Sequence, residues 1–307
     1  MSGGFSVKFM KKLIVYVLVL LMIPTIVLAD NDGVEYERHI LDKSSRQAFI
    51  DDVLETFGFT FIDEANALSS DFAQYYMESF DYVLGLFGVE FITTMNASFA
   101  DSQWHGDNAY IIIRPARRGG QGIIGGMFNP TGRNRSPVIT IYSLSASDRE
   151  RIGVRAVLAH EIGHMISQLI FNLQWTGVNV TIPRHYEELS RMNGRFRYTD
   201  LGGGQTNAHN AWVEGRHGTT FATLKGLSHH WEDFASMFEV LGGGEDAVFQ
   251  GITPGLDILT RLSNPDNDPL LQKMIWLRDL MYEYIGFTPL FAPIYEALEI
   301  LEYNAGE

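Results

Sequence analysis

His160, Glu161 and His164 are the residues of this 307-residue chain whose types and spacing most directly imply chemistry. They stand in the run His160-Glu161-Ile162-Gly163-His164. On an α-helix, positions i and i+4 lie about 6 Å apart along the axis and about 40° apart around it. Both imidazoles then leave one face and can reach one ion at Zn–N distances of about 2.0–2.1 Å. Glu161 lies off that ligand direction but within hydrogen-bond reach of a zinc-held water. Zinc lowers the pKa of such a water, and a carboxylate beside it can take the proton as the water attacks a carbonyl, then pass it to the leaving amine. The plainer alternative makes both residues core histidines bonded to backbone. With nine histidines in the chain, a chance match has a probability of about 2%, which favours the metal.

The elements around the motif must hold it in place. Residues 147–172 carry apolar positions at Ile152, Ala156, Val157, Ala159, Met165, Ile166, Leu169 and Ile170, predicting a largely buried helix. Gly163 costs about 1 kcal/mol relative to alanine in mid-helix, so close approach by another element is expected there. Residues 109–113 and 137–142 read as strands, and 177–182 as a third. Residues 117–136, rich in Gly, Arg and Asn, read as a long loop, and 191–227 as irregular. Helices are expected over 44–58, 64–88, 229–241, 269–285 and 289–303, with Ser44 or Ser45 and Gly58 capping the first. The expected class is α+β, helix-dominated with a small sheet.

The motif on a buried helix, with strand 137–142 just before it in the place of the family's edge strand, resembles the zincin metallopeptidases. That resemblance implies a zincin-like fold with the sheet beside the active-site helix, a catalytic zinc, and a peptide or protein substrate. It also implies a third protein ligand. The metzincin pattern is absent, because His164 is followed by Met-Ile-Ser-Gln-Leu-Ile-Phe. Glu232-Asp233-Phe234-Ala235 is similar to the Glu-x-Phe-Ala helix of gluzincins, among them the lethal-factor-like peptidases, and carries Glu232 over as the third ligand. Asp233, His229 and His230 remain alternatives. Thermolysin-like members place an acid four residues after that ligand to orient a histidine. Here the position is Ser236, so Asp233 or a backbone carbonyl is expected to do the orienting. His229, His230, His217, Tyr198 and Tyr186 are candidates for stabilising an oxyanion.

Residues 1–29 read as a secretory signal peptide: Lys8, Lys11 and Lys12 precede an apolar run ending at Val27-Leu28-Ala29. Residues 30–307 are then one catalytic unit, secreted or periplasmic, with no stable membrane span after cleavage. The leader holds three of the 23 basic residues, which leaves 20 against 37 acidic ones. Such a surface repels nucleic acid. The absence of cysteine excludes Cys-ligated zinc chemistry. Gly120-Gln121-Gly122-Ile123-Ile124-Gly125 matches a dinucleotide-binding pattern, but the residues after it cannot open the helix that a phosphate needs. Arg114, Arg117, Arg118, Arg133 and Arg135 read as a solvated loop cluster, and Trp104-His105-Gly106-Asp107 as a polar turn. Two other readings stand beside a zinc-dependent peptidase: a zinc amidase acting on cell-wall or other non-protein amides, and a zinc-binding protein without turnover.

Overall fold

The computed structural model describes residues 39–100, 108–119, 122–133, 136–143, 153–175, 182–193, 220–223, 225–227, 230–242 and 268–284. Residues 1–29, the expected helix over 289–303 and nearly all of the expected strand 177–182 lie outside them. Ile182 itself opens a helix. Among the described residues, no helix is long and apolar enough to cross a membrane.

The chain begins with α1 (Arg46–Phe57), capped as expected: the Ser45 hydroxyl accepts from Ala48 N, and Gly58 takes a left-handed conformation. Strand β1 (Thr60–Asp63) follows. The Asp63 carboxylate accepts from the backbone N–H groups of Ala67 and Leu68, both at 2.9 Å, and so closes a 3-10 turn over Ala67–Ser69. Helix α2 (Ala73–Phe87) thus starts later than position 64, and α3 (Val89–Ala100) follows after Gly88. Next come β2 (Tyr110–Arg114), β3 (Arg117–Gly119), β4 (Gly122–Ile124), β5 (Gly126–Arg133) and β6 (Ser136–Tyr142). The segment expected as a loop is therefore a two-stranded ribbon, β3 with β4, followed by a full sheet strand.

The main sheet has the order β1-β2-β6-β5. Strands β1, β2 and β6 run parallel, with Phe61 beside Ile111 and Ile111 beside Ile139. Strand β5 is antiparallel to β6, pairing Gly126 with Ile141 and Asn129 with Val138. The register shifts between Asn129 and Arg133, around Pro130, which has no N–H to give a ladder. That is where proline is tolerated, on an outer strand or at a bulge. The outer strand beside the motif is thus β5, while 137–142, expected at the edge, runs inside the sheet.

Side chains alternate across a strand. Ile111, Ile113, Ile139 and Ile141 join the main core. Ile112, Val138 and Thr140, on the other face, line a cavity of about 240 Å³. Phe49, Phe61 and Phe80 stack edge to face at 5.1–6.5 Å and tie α1, β1 and α2 together. Each such buried side chain contributes about 1.5–3 kcal/mol.

The motif sits in α4 (Val154–Trp175). Its first turn is anchored to α2: Val154 N donates to the Tyr75 hydroxyl at 3.2 Å, and the Arg155 guanidinium lies 4.3 Å over the Tyr82 ring. Helix α4 packs on β5 and β6 along one side and on α6 (His230–Gly242) along another. Helices α5 (Ile182–Met192) and α7 (Asp268–Tyr284) complete the described elements. The architecture is α+β, helix-dominated with a small sheet beside the motif helix.

Candidate metal centre

Helices α4 and α6 approach closely because small residues line their contact. A Cβ on Gly163 would meet Phe238 Cδ2 at 2.8 Å and the Ala235 backbone at 3.0 Å. A Cβ on Gly242 would meet Ala159 Cβ at 2.6 Å. The mid-helix glycine is the place where the helix that carries Glu232 crosses.

This contact brings His160, His164 and Glu232 together. One donor atom from each lies within 4.8 Å of the others. Glu232 Oε2 is 3.1 Å from His160 Nε2 and 3.6 Å from His164 Nε2. Both histidines are buried, and their rings stand edge to face at 4.7 Å. His164 also packs against Trp231 at 5.7 Å. Glu161 is buried as well, and its Oε2 has no hydrogen-bond partner. Strand β5 presses on it from the side: a Cβ on Gly126 would meet Glu161 Oε1 at 2.8 Å.

His160 is oriented by a group that the sequence reading did not name. Its Nδ1 lies 2.9 Å from Oε2 of Glu239, which is wholly buried. Glu239 is seven residues after Glu232, two helical turns rather than one, so it stands on the same face of α6. The expected orienters are excluded. Asp233 faces α7 instead, in a buried ion pair of 2.7 Å with Lys273. Ser236 takes a hydrogen bond from Thr223 at 2.8 Å. The pairing with Lys273 also removes Asp233 as an alternative ligand. His230 opens α6 but stands outside the donor group. His217, His229, Tyr198 and the side chain of Tyr186 lie outside the described residues.

Lys225 is the second residue that the sequence reading missed, and its isolated position in a Gly-rich stretch gave no signal. It lies in a 3-10 turn, Lys225–Leu227, packed against α6. Its Nζ is 2.9 Å from His160 Nε2 and 3.1 Å from Glu232 Oε2.

The electrostatics favour positive charge. Burial would raise the pKa of Glu232, but hydrogen bonds with His160 and His164 and the Lys225 charge hold it far below the usual carboxylate range. Burial and Lys225 oppose protonation of His160. Its bonds to Glu232 and Glu239 outweigh them and raise its pKa. Burial lowers the pKa of His164. Burial would lower that of Lys225, and the charges of Glu232, Glu161 and Glu239 raise it instead.

These features fit a divalent cation. The nitrogen, nitrogen, oxygen set is that of a catalytic zinc site. Glu239 fixes one ligand ring, as carboxylates do for metal-bound histidines. Three carboxylates (Glu161, Glu232 and Glu239) and one lysine (Lys225) converge around the two rings. Glu161 adds a buried carboxylate oxygen with no hydrogen-bond partner.

Two other sequence motifs resolve differently. The described part of the Gly120–Gly125 run forms β4 (Gly122–Ile124) and leads into the extended strand β5, so among the described residues a strand follows it where a phosphate site needs a helix. Arg114 pairs with Glu64 at 3.2 Å, and Arg133 lies 5.6 Å over the Tyr110 ring.

Among solved structures, the chain is similar to that of a proposed zinc-binding metallo-peptidase from Bacteroides caccae, with a TM-score of 0.43 and 15% identity over 81% of this chain and 91% of that one. No protein-family model matches the chain, and no curated protein matches it. At this level of likeness the functional reading rests on the chain's own geometry.

Proposed function

We propose that this protein is a zinc-dependent peptidase in which His160, His164 and Glu232 hold the metal and Glu161 is the general base. The observation that carries the reading is the convergence of those three donors within 4.8 Å, beside a buried carboxylate oxygen with no partner. When bound there, zinc supplies a Lewis acid that polarises a carbonyl and acidifies a water.

The chain's own residues do the rest. Glu239 holds the His160 ring so that Nε2 faces the donor group. Glu161 receives a proton from the attacking water and delivers it to the departing amine nitrogen. The low dielectric around these buried side chains strengthens each charge interaction. Strand β5 is an outer strand of the described sheet and begins against Glu161. An extended peptide can pair with such an edge, which would lay its backbone across the base. We assign residues 1–29 as a secretory leader removed from the working protein, and its site of action as secreted or periplasmic.

Metal analysis and peptide digestion test the reading. The purified protein should hold one zinc per chain. Glu161→Gln should keep the zinc and lose hydrolysis of a peptide library, and Glu232→Ala should lose the zinc. A zinc-loaded protein that leaves peptides intact but cleaves a cell-wall amide would replace the peptidase reading with the amidase one. A metal-free protein, or full activity in Glu161→Gln, would refute it.

A further inference from the structure

We propose that the protein selects acidic substrates: a peptide lying along β5 offers a Glu or Asp side chain to Arg133. They meet at the cavity on the face of the sheet away from α4. This substrate class rests on the peptidase reading.

Strand geometry places the two groups. Successive side chains of a strand point to opposite faces. A Cβ on Gly126 would meet Val157 and Glu161, so that position of β5 faces α4. Met127 and Asn129 face the other way and line the cavity, whose volume is about 240 Å³. Arg133 lies beyond the register shift and pairs with Ser136, as Asn129 pairs with Val138. Ser136 and Val138 are alternate residues of β6 and share a face. Arg133 therefore stands one step beyond Asn129 on the cavity face, and it lines the same cavity.

A peptide added to the outer edge of β5 obeys the same alternation. Its residue opposite Gly126 faces the motif helix, and those opposite Met127 and Asn129 face the cavity side. Side chains directly opposite on neighbouring strands stand about 4.5–5.5 Å apart, and diagonal ones about 7–8 Å apart. A Glu or Asp beside Asn129 is thus diagonal to Arg133 and within reach of its long side chain. Asn129 is three positions after Gly126, so the selected residue stands about three or four places from the cut bond.

The charges favour an anion at this place. The cavity lining includes Arg114 and Arg133 and no acidic side chain. Arg114 is already paired with Glu64 at 3.2 Å. Arg133 lies 5.6 Å over the Tyr110 ring, a contact that takes none of its five N–H donors. Among the described residues no carboxylate is paired with it. The whole chain carries a net charge of −14, which repels acidic peptides at a distance. Screening decides between these effects. At 0.1 M salt the Debye length is about 10 Å, so the diffuse repulsion fades while direct contact with Arg133 persists.

The test is cleavage of matched peptides by the zinc-loaded protein. Each set carries Glu, Gln or Lys at one position near the cut bond, and kcat/KM is read by mass spectrometry. Wild type should cleave the Glu peptide about fivefold faster than the Gln peptide at a position three or four places from the cut. High salt should shrink that ratio. The preference should vanish in Arg133→Gln and turn toward Lys in Arg133→Glu. Each ratio is taken within one variant, so differences in the amount of folded protein cancel. Equal rates on Glu and Gln peptides in wild type, or a Glu preference that survives both substitutions, would overturn the proposal and leave the peptidase reading standing. No cleavage of any peptide would defeat the peptidase reading, and the proposal with it.

Discussion

Glu239 grips His160 from the same helix that supplies Glu232: its Oε2 stands 2.9 Å from Nδ1, two turns beyond the carboxylate that faces the other ring nitrogen. One helix thus holds both nitrogens of one imidazole. Carboxylates that orient metal-bound histidines are worth about 10–100-fold in metal affinity. Glu239→Gln should therefore weaken zinc binding by about that factor while the fold persists. Chelator competition together with circular dichroism checks this.

Gly163→Ala sets two effects against each other. Alanine favours the helix by about 1 kcal/mol. Its methyl group would press on Phe238 and on the Ala235 backbone at 2.8–3.0 Å, and overpacking costs about 1–3 kcal/mol. Because one of those neighbours is backbone, the clash should win. Denaturant unfolding should show net destabilisation, and zinc affinity should fall as α6 is pushed away from α4.

The fully buried pair of Lys273 and Asp233 predicts a non-additive result. Lys273→Met strands a carboxylate in the core, at a cost of about 3–5 kcal/mol. Adding Asp233→Leu removes the stranded charge and should restore most of the loss. A double-mutant cycle by urea denaturation gives the coupling directly.

Asp52 accepts hydrogen bonds from Asp42 N at 2.7 Å and from Thr56 Oγ1 at 2.8 Å, with His39 Nε2 at 3.0 Å. Burial would raise its pKa, but these bonds lower it on balance. A carboxyl group whose pKa is depressed on folding stabilises the protein above its unfolded pKa, and the benefit is lost as pH falls through the folded value. Asp52→Asn should thus cost about 1 kcal/mol at neutral pH after allowance for solvent screening. The gap to wild type should close in strong acid. Unfolding curves at the two pH extremes measure it.

The parts of the structure written in local pattern were readable from sequence. The α4 helix carries its apolar face and its metal-binding spacing in consecutive residues, and the Ser45 and Gly58 caps of α1 are local signals. Helix α6 was visible with Glu232 on it. Strand β5 was not, because Gly126, Asn129, Pro130 and Gly132 all speak against a strand, and only its pairing with β6 makes it one. Strand β1 has four residues, too few to show alternation. In α3, Val89, Ile92, Thr93 and Thr94 weaken the helical signal that tertiary contacts restore. Within the site, Glu239 was readable in principle, as an acid two turns from Glu232. Lys225 was not, since only the folded chain brings it 65 residues back to His160.

The 79-residue gap between His160 and its gripping carboxylate bears on the order of events during folding. Contacts so distant along the chain form late, after local helices and hairpins. A chain folded only as far as the helix that bears His160 and His164 has neither Glu232 nor the residue that fixes the ring. On the proposed reading, tight zinc capture therefore waits until α6 has folded back onto α4, so the centre is among the last parts of the molecule to be completed.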